Sequence, residues 1–158
     1  GQGSQFVGMG SDFYEKFDLV KDIFATADKT LGFSLSNIIL KGPEEELRLT
    51  QNAQPAIMTV GVSIYKVLNK KYNLNLGDAK YFAGHSLGEY TALVCSGSLE
   101  LDKAIFLLHE RGKAMRIRCS QRVHSRLERY GSFRRQRLAP CMHVRGTQQH
   151  PHGKHIFE

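Results

Sequence analysis

Apolar side chains recur at three- and four-residue spacing early in the chain. Phe13, Phe17, Val20, Phe24 and Ala27 form one stripe, the mark of an amphipathic helix over 12–31. Gly32 is its natural stop, and Ser11 or Asp12 its natural cap. Leu35, Ile38 and Ile39 predict a short second helix closed by Gly42-Pro43. Glu44, Glu45 and Glu46 suit the first turn of another, where negative charge meets the positive end of the helix dipole. Pro55 fits a first helical turn. After it, Ile57, Val60, Val62, Ile64, Val67 and Leu68 run densely apolar to Tyr72 and predict a helix buried over most of its circumference. Residues 73–78 read as a polar turn. Tyr81-Phe82-Ala83 reads as a short strand that runs straight into Gly84-His85-Ser86-Leu87-Gly88. A helix over 89–96 follows, broken by Gly97. Leu101, Ala104, Ile105, Leu108, Gly112 and Met115 predict a last helix carrying Arg111. Helices alternating with at least one short buried strand argue an α/β fold. Residues 1–10 form a glycine-rich loop without the GxGxxG spacing of a dinucleotide site.

Charge changes this picture. The 158 residues carry 22 Lys+Arg against 15 Asp+Glu, a net of +7, which taken whole suggests a nucleic-acid binder. The excess is not evenly spread. Residues 1–115 sum to −1 and residues 116–158 to +8. The first part has 10 Lys and 2 Arg, and the last 43 residues have 1 Lys and 9 Arg, with five of the seven His. Two sequence populations meet near Met115. Cys95, Cys119 and Cys141 stand in no CxxC spacing, and Cys95 in its apolar surroundings reads as a buried reduced thiol. No run approaches the roughly 20 apolar residues of a membrane helix.

The chemistry sits at 84–88. Gly-x-Ser-x-Gly between a strand and a helix turns the backbone sharply and presents one hydroxyl at the apex, with glycines where a Cβ would clash. Ser86 would then lie at a helix N-terminus, where N–H groups and the dipole favour a developing oxyanion. The N–H of Leu87 is the natural first donor. The competing reading makes Ser86 a mere cap of the following helix. A nucleophilic serine needs a base. His85 should point away from its neighbour's hydroxyl, and His109 reads as a surface or packed helix histidine, so no triad closes.

Four segments together resemble one family. Gly1-Gln2-Gly3-Ser4-Gln5, Gln51-Asn52-Ala53-Gln54-Pro55-Ala56, Gly84-His85-Ser86-Leu87-Gly88-Glu89-Tyr90 and Glu110-Arg111-Gly112-Lys113-Ala114-Met115 are similar, in order and separation, to motifs of the malonyl-CoA:acyl carrier protein transacylases and the acyltransferase domains of polyketide and fatty-acid synthases. The resemblance covers residues 1–115. It implies an α/β-hydrolase-like acyltransferase core. It further implies that Ser86 is the nucleophile, that the backbone N–H groups of Leu87 and Gln2 form the oxyanion hole, and that Arg111 clamps the malonyl carboxylate. A planar guanidinium suits that bidentate task. His85 and Gln54 would line the acyl pocket. The implied reaction is ping-pong, from malonyl-CoA through an acyl-serine to the phosphopantetheine thiol of acyl carrier protein, in fatty-acid biosynthesis. It uses no cofactor and no metal. The full-length protein is expected to be a cytoplasmic monomer without membrane or nucleic-acid partners, although a mitochondrial or plastid site stays open.

The resemblance also implies parts that the chain does not show. A strand before Gly1, a ferredoxin-like subdomain and a later catalytic His are all unrecognisable here. Three readings of 116–158 compete: a basic arm for phosphates, a metal site from His150, His152, His155 and Cys141, or sequence foreign to the family through a frame change or an altered splice. The abrupt change in Lys:Arg ratio favours the third, with a poorly ordered tail. An inactive truncated fragment and a polyketide-synthase domain of different acyl preference are the alternatives to the malonyl reading.

Overall fold

The protein is described by a computed structural model, which covers residues 1–129 other than 73, 75, 77 and 78, with side chains through residue 118. Seven helices make up the regular structure of these residues: α1 Ser11–Lys16, α2 Asp18–Leu31, α3 Leu35–Lys41, α4 Glu44–Arg48, α5 Thr50–Lys71, α6 Leu87–Cys95 and α7 Leu101–Arg129.

The stripe predicted over 12–31 is split. Phe17 is extended, at φ −128° and ψ 115°, and separates α1 from α2. Its ring packs on Phe13, 5.9 Å between centroids, so burying that ring outweighs helical continuity. The start is capped by neither Ser11 nor Asp12 but by Gly10, whose left-handed φ of 77° only glycine adopts freely. Gly32 ends α2 at φ 73°, as its position in sequence indicates. Glu44, Glu45 and Glu46 do occupy the first turn of α4.

α5 is the axis of the fold, packed by α2, α6 and α7. It begins at Thr50, five residues before Pro55, and so holds that proline inside the helix. Ala56, Met58, Val62 and Val67 are all but fully buried along it, against Phe24 and Val20 of α2 and Ile105 and Leu108 of α7. Burying a side chain of that size contributes roughly 1.5–3 kcal/mol. Two buried hydroxyls in this core are satisfied locally: Thr59 Oγ1 donates to the Pro55 carbonyl at 2.8 Å and Ser63 Oγ to that of Thr59 at 2.7 Å.

The expected α/β alternation is not seen among the described residues, which contain no strand. Residues 81–84 have no regular secondary structure. A strand exists only through a neighbour's N–H and C=O groups, and no described segment offers them. Tyr81 is accordingly 89% exposed, while Phe82 meets Tyr65 of α5 edge-on at 6.1 Å. The boundary expected near Met115 falls inside α7, which continues to Arg129. Arg116, just past that boundary, donates to Gln51 Oε1 at 3.1 Å. The tail residues His150, His152, His155 and Cys141 lie outside the described residues. No helix of the described residues is long and apolar enough to cross a membrane.

α7 crosses α5 backbone to backbone. A Cβ on Gly112 would overlap the Cα and N of Gln51, so only glycine permits this approach. Gly112→Ala is therefore expected to destabilise the protein by about 2–3 kcal/mol through forced separation of the two helices. Urea unfolding of the two proteins checks this.

Candidate active site

The turn at 84–88 has the geometry that its sequence demands. Ser86 stands at φ 58° and ψ −114°, the only non-glycine residue at positive φ among those described. Its side chain makes no capping bond to α6, so the reading of Ser86 as an ordinary cap fails. Gly88 N–H donates to the His85 carbonyl at 2.9 Å and Glu89 N–H to that of Ser86 at 3.3 Å, which closes the turn. The two glycines are not equivalent. A Cβ on Gly84 would collide with the Gly88 carbonyl, whereas one on Gly88 meets nothing within 4 Å. Only the first glycine is a steric requirement of the turn itself.

α7 brings Arg111 to the exposed Ser86 hydroxyl, and Arg111 in turn meets Gln54 of α5. Arg111 Nη2, from α7, donates to Ser86 Oγ at 3.0 Å. Arg111 Nη1 donates to Gln54 Oε1 of α5 in a short bond. Gln54 is fully buried, and its Nε2 donates to Met115 Sδ at 3.4 Å. The amide is thus oriented from both ends, with its oxygen facing the guanidinium. Gln2 Nε2 donates to Thr50 Oγ1 at 3.3 Å, which ties the glycine-rich loop to the first residue of α5. Leu87 is buried as the first residue of α6. Gln51 and Met115 as anchors of this network are not evident from sequence patterning, because their contacts span 58 to 65 residues of chain.

His85 is exposed and lines a cleft of about 640 Å³ with Gly1, Phe82, Tyr65, Thr91 and Cys95. That cleft takes in the elbow's backbone at Gly84, Leu87 and Gly88, but not Ser86, Gln54 or Arg111. It is a second face of the elbow rather than the place where Ser86 reacts. Burial pushes the Cys95 thiol up, with Lys66 opposing weakly, so at neutral pH it is a protonated, unreactive group. His109 is 8% exposed and its Nδ1 lies 2.9 Å from the Gln51 carbonyl. Among the described residues no histidine is bonded to Ser86, and no three His, Cys, Asp or Glu side chains are grouped to hold a metal.

What the arrangement can do follows from its charges. A serine hydroxyl sits at a helix N-terminus beside a guanidinium held by a neutral amide. A substrate with an electrophilic carbonyl and a nearby carboxylate would meet both groups at once. The positive φ of Ser86 stores roughly 1–3 kcal/mol of strain. Ser86→Gly is therefore expected to raise stability by about 1 kcal/mol, and Gly84→Ala to lower it by about 2–3 kcal/mol. Urea unfolding measures both, and a serine that only capped a helix would give no gain on conversion to glycine.

Comparison with known proteins agrees with this geometry. Residues 1–144 match the family described as "Acyl transferase domain". The malonyl CoA-acyl carrier protein transacylase of Bacillus subtilis is 44% identical over 115 residues, which cover 73% of this chain and 35% of that protein. The Escherichia coli K12 protein of the same name is 43% identical over 116 residues, 73% of this chain and 36% of its own. Among solved structures, the acyl-carrier-protein S-malonyltransferase of Bartonella henselae superposes with a TM-score of 0.68 at 44% identity, covering 73% of this chain and 37% of that one. A malonyl-transacylase solved in complex with its type II polyketide-synthase acyl-carrier protein gives 0.67 at 44% identity, with the same two coverages. The chain spans about a third of the length of the curated relatives it matches. With a family match over most of its length, the chain belongs to the acyl transferase domain family.

Proposed function

We propose that this chain carries the acyl-accepting centre of a malonyl-CoA:acyl carrier protein transacylase. The observation that supports it most is the contact of Arg111 with both Ser86 Oγ and the buried Gln54 amide. Ser86 Oγ attacks the thioester carbon of malonyl-CoA, the C–S bond breaks, and CoA leaves as the thiol with the serine's proton. The oxyanion formed on the way takes hydrogen bonds from the N–H groups of Leu87 and Gln2. The malonyl carboxylate exchanges places with Ser86 Oγ as partner of Arg111, which holds it in a charge-assisted bond. In the second half-reaction the phosphopantetheine thiol of acyl carrier protein attacks the ester, and Ser86 regains its proton. His85 borders the acyl site from the outer face of the elbow.

The reading includes further parts. A general base for Ser86, a ferredoxin-like subdomain and the strands that would pair with 81–84 belong to sequence beyond the described residues. It needs no cofactor besides the two thiol carriers, and places a monomeric full-length enzyme in the cytoplasm.

The test is single-turnover labelling of the 158-residue chain with malonyl-CoA and, separately, acetyl-CoA, located by peptide mass spectrometry. A slowly formed malonyl ester on Ser86 is expected, absent in Ser86→Ala, with weak or no turnover, because the described residues supply a base for neither half-reaction. Arg111→Ala is expected to slow malonyl labelling about 100-fold and acetyl labelling less than about threefold. Equal losses with both acyl groups would remove the carboxylate clamp from the account, and labelling elsewhere would remove Ser86.

A further inference from the structure

Pro55 lies inside α5, and this has a consequence four residues earlier. In an α-helix each N–H donates to the carbonyl of residue i−4. Pro55 has no N–H, so the bond that would end on the Gln51 carbonyl cannot form. The proline ring also presses that carbonyl away from the helix axis. A partly buried carbonyl without its helical donor favours another donor.

α7 supplies one. His109 Nδ1 is 2.9 Å from the Gln51 oxygen. A carbonyl oxygen only accepts, so Nδ1 carries the proton and donates. The imidazole is 8% exposed and its other side packs on Phe33, 5.6 Å between ring centroids. One turn further along α7, Gly112 lies directly on the Gln51 backbone, and Arg116 Nη1 reaches the Gln51 side chain at 3.1 Å. Residues 109, 112 and 116 share one face of α7, and all three seat on Gln51. Arg111 and Met115 lie on the adjoining face and seat on Gln54.

We propose that His109 is a positioning residue for Arg111. It caps the carbonyl that Pro55 leaves without a helical donor, and so fixes the height at which α7 crosses α5. That height decides whether the Arg111 guanidinium reaches Gln54 Oε1 and Ser86 Oγ together. The purpose of holding Arg111 rests on the malonyl-transfer reading; the holding itself does not.

Two measurements on the 158-residue chain test this. The first needs no variant. In ¹⁵N-histidine spectra of the wild type, Nδ1 of His109 is expected to carry a proton. A neutral His109 protonated at Nε2 would overturn the proposal. The second compares His109→Leu with His109→Asn, whose amide N–H is placed much as Nδ1–H. The guanidinium protons of Arg111 are expected to exchange with water about tenfold faster in His109→Leu and within about twofold of wild type in His109→Asn. The ratio of malonyl to acetyl labelling of Ser86 should fall and recover in the same order. Unchanged Arg111 exchange in His109→Leu, or loss in both variants, overturns the proposal. If Arg111 responds as expected while wild-type Ser86 takes no malonyl group, the positioning role stands and the malonyl reading fails.

Discussion

Every predicted site side chain that reaches the Ser86 hydroxyl does so through the crossing of α5 and α7. The two helices meet where Gly112 has no side chain and Gln51 has no helical donor on its carbonyl. Close approach and unsatisfied acceptor are complementary: the first brings His109 within 2.9 Å, and the second gives its Nδ1–H something to bond. A partly buried carbonyl left without a donor costs up to about 1–3 kcal/mol, so this bond favours the crossing. With α7 pinned there, Arg111 is one residue before Gly112 and faces Gln54 and Ser86. The guanidinium is therefore placed by backbone packing rather than by its own flexible stem.

The elbow contributes the opposite kind of constraint. Ser86 is held in a strained backbone conformation, and its side chain makes no capping bond to α6 that would hold it there. Strain of this sort persists only where surrounding structure enforces it. Gly84 allows the tight return past the Gly88 carbonyl, and the buried Leu87 anchors the start of α6 in the core. What results is an exposed hydroxyl at a rigid point, next to a cation whose own partner is a neutral amide. A neutral partner leaves the charge of Arg111 uncompensated within the site and available to an acyl carboxylate.

Much of this was legible in the chain because it depends on local pattern. The elbow could be read from five residues and Gly32 from its place after an apolar stripe, whereas Arg111 stood out only through the resemblance of its segment. Other features depended on distance. The stripe over 12–31 gave no sign that Phe17 would leave the helix, because the competing term is ring packing and not periodicity. The run at 81–83 has the composition of a strand, but strand formation requires a partner that the described residues do not contain. Pro55 was legible only as a residue suited to a helix start. The structure sets it five residues inside, and the sign that this is possible is a histidine 58 residues after Gln51. The resemblance to acyltransferases named Ser86, Gln54 and Arg111 as site residues without giving this reason for their arrangement.

The central claim is that Arg111 acts on the acyl group as one unit with Gln54, and a double-mutant cycle tests it most directly. Single-turnover malonyl labelling of Ser86 would be compared in the wild type, Arg111→Ala, Gln54→Ala and the double variant. The account predicts strong coupling, with the double variant within about threefold of Arg111→Ala alone. Losses that multiply independently would contradict it, because Gln54 would then act without Arg111.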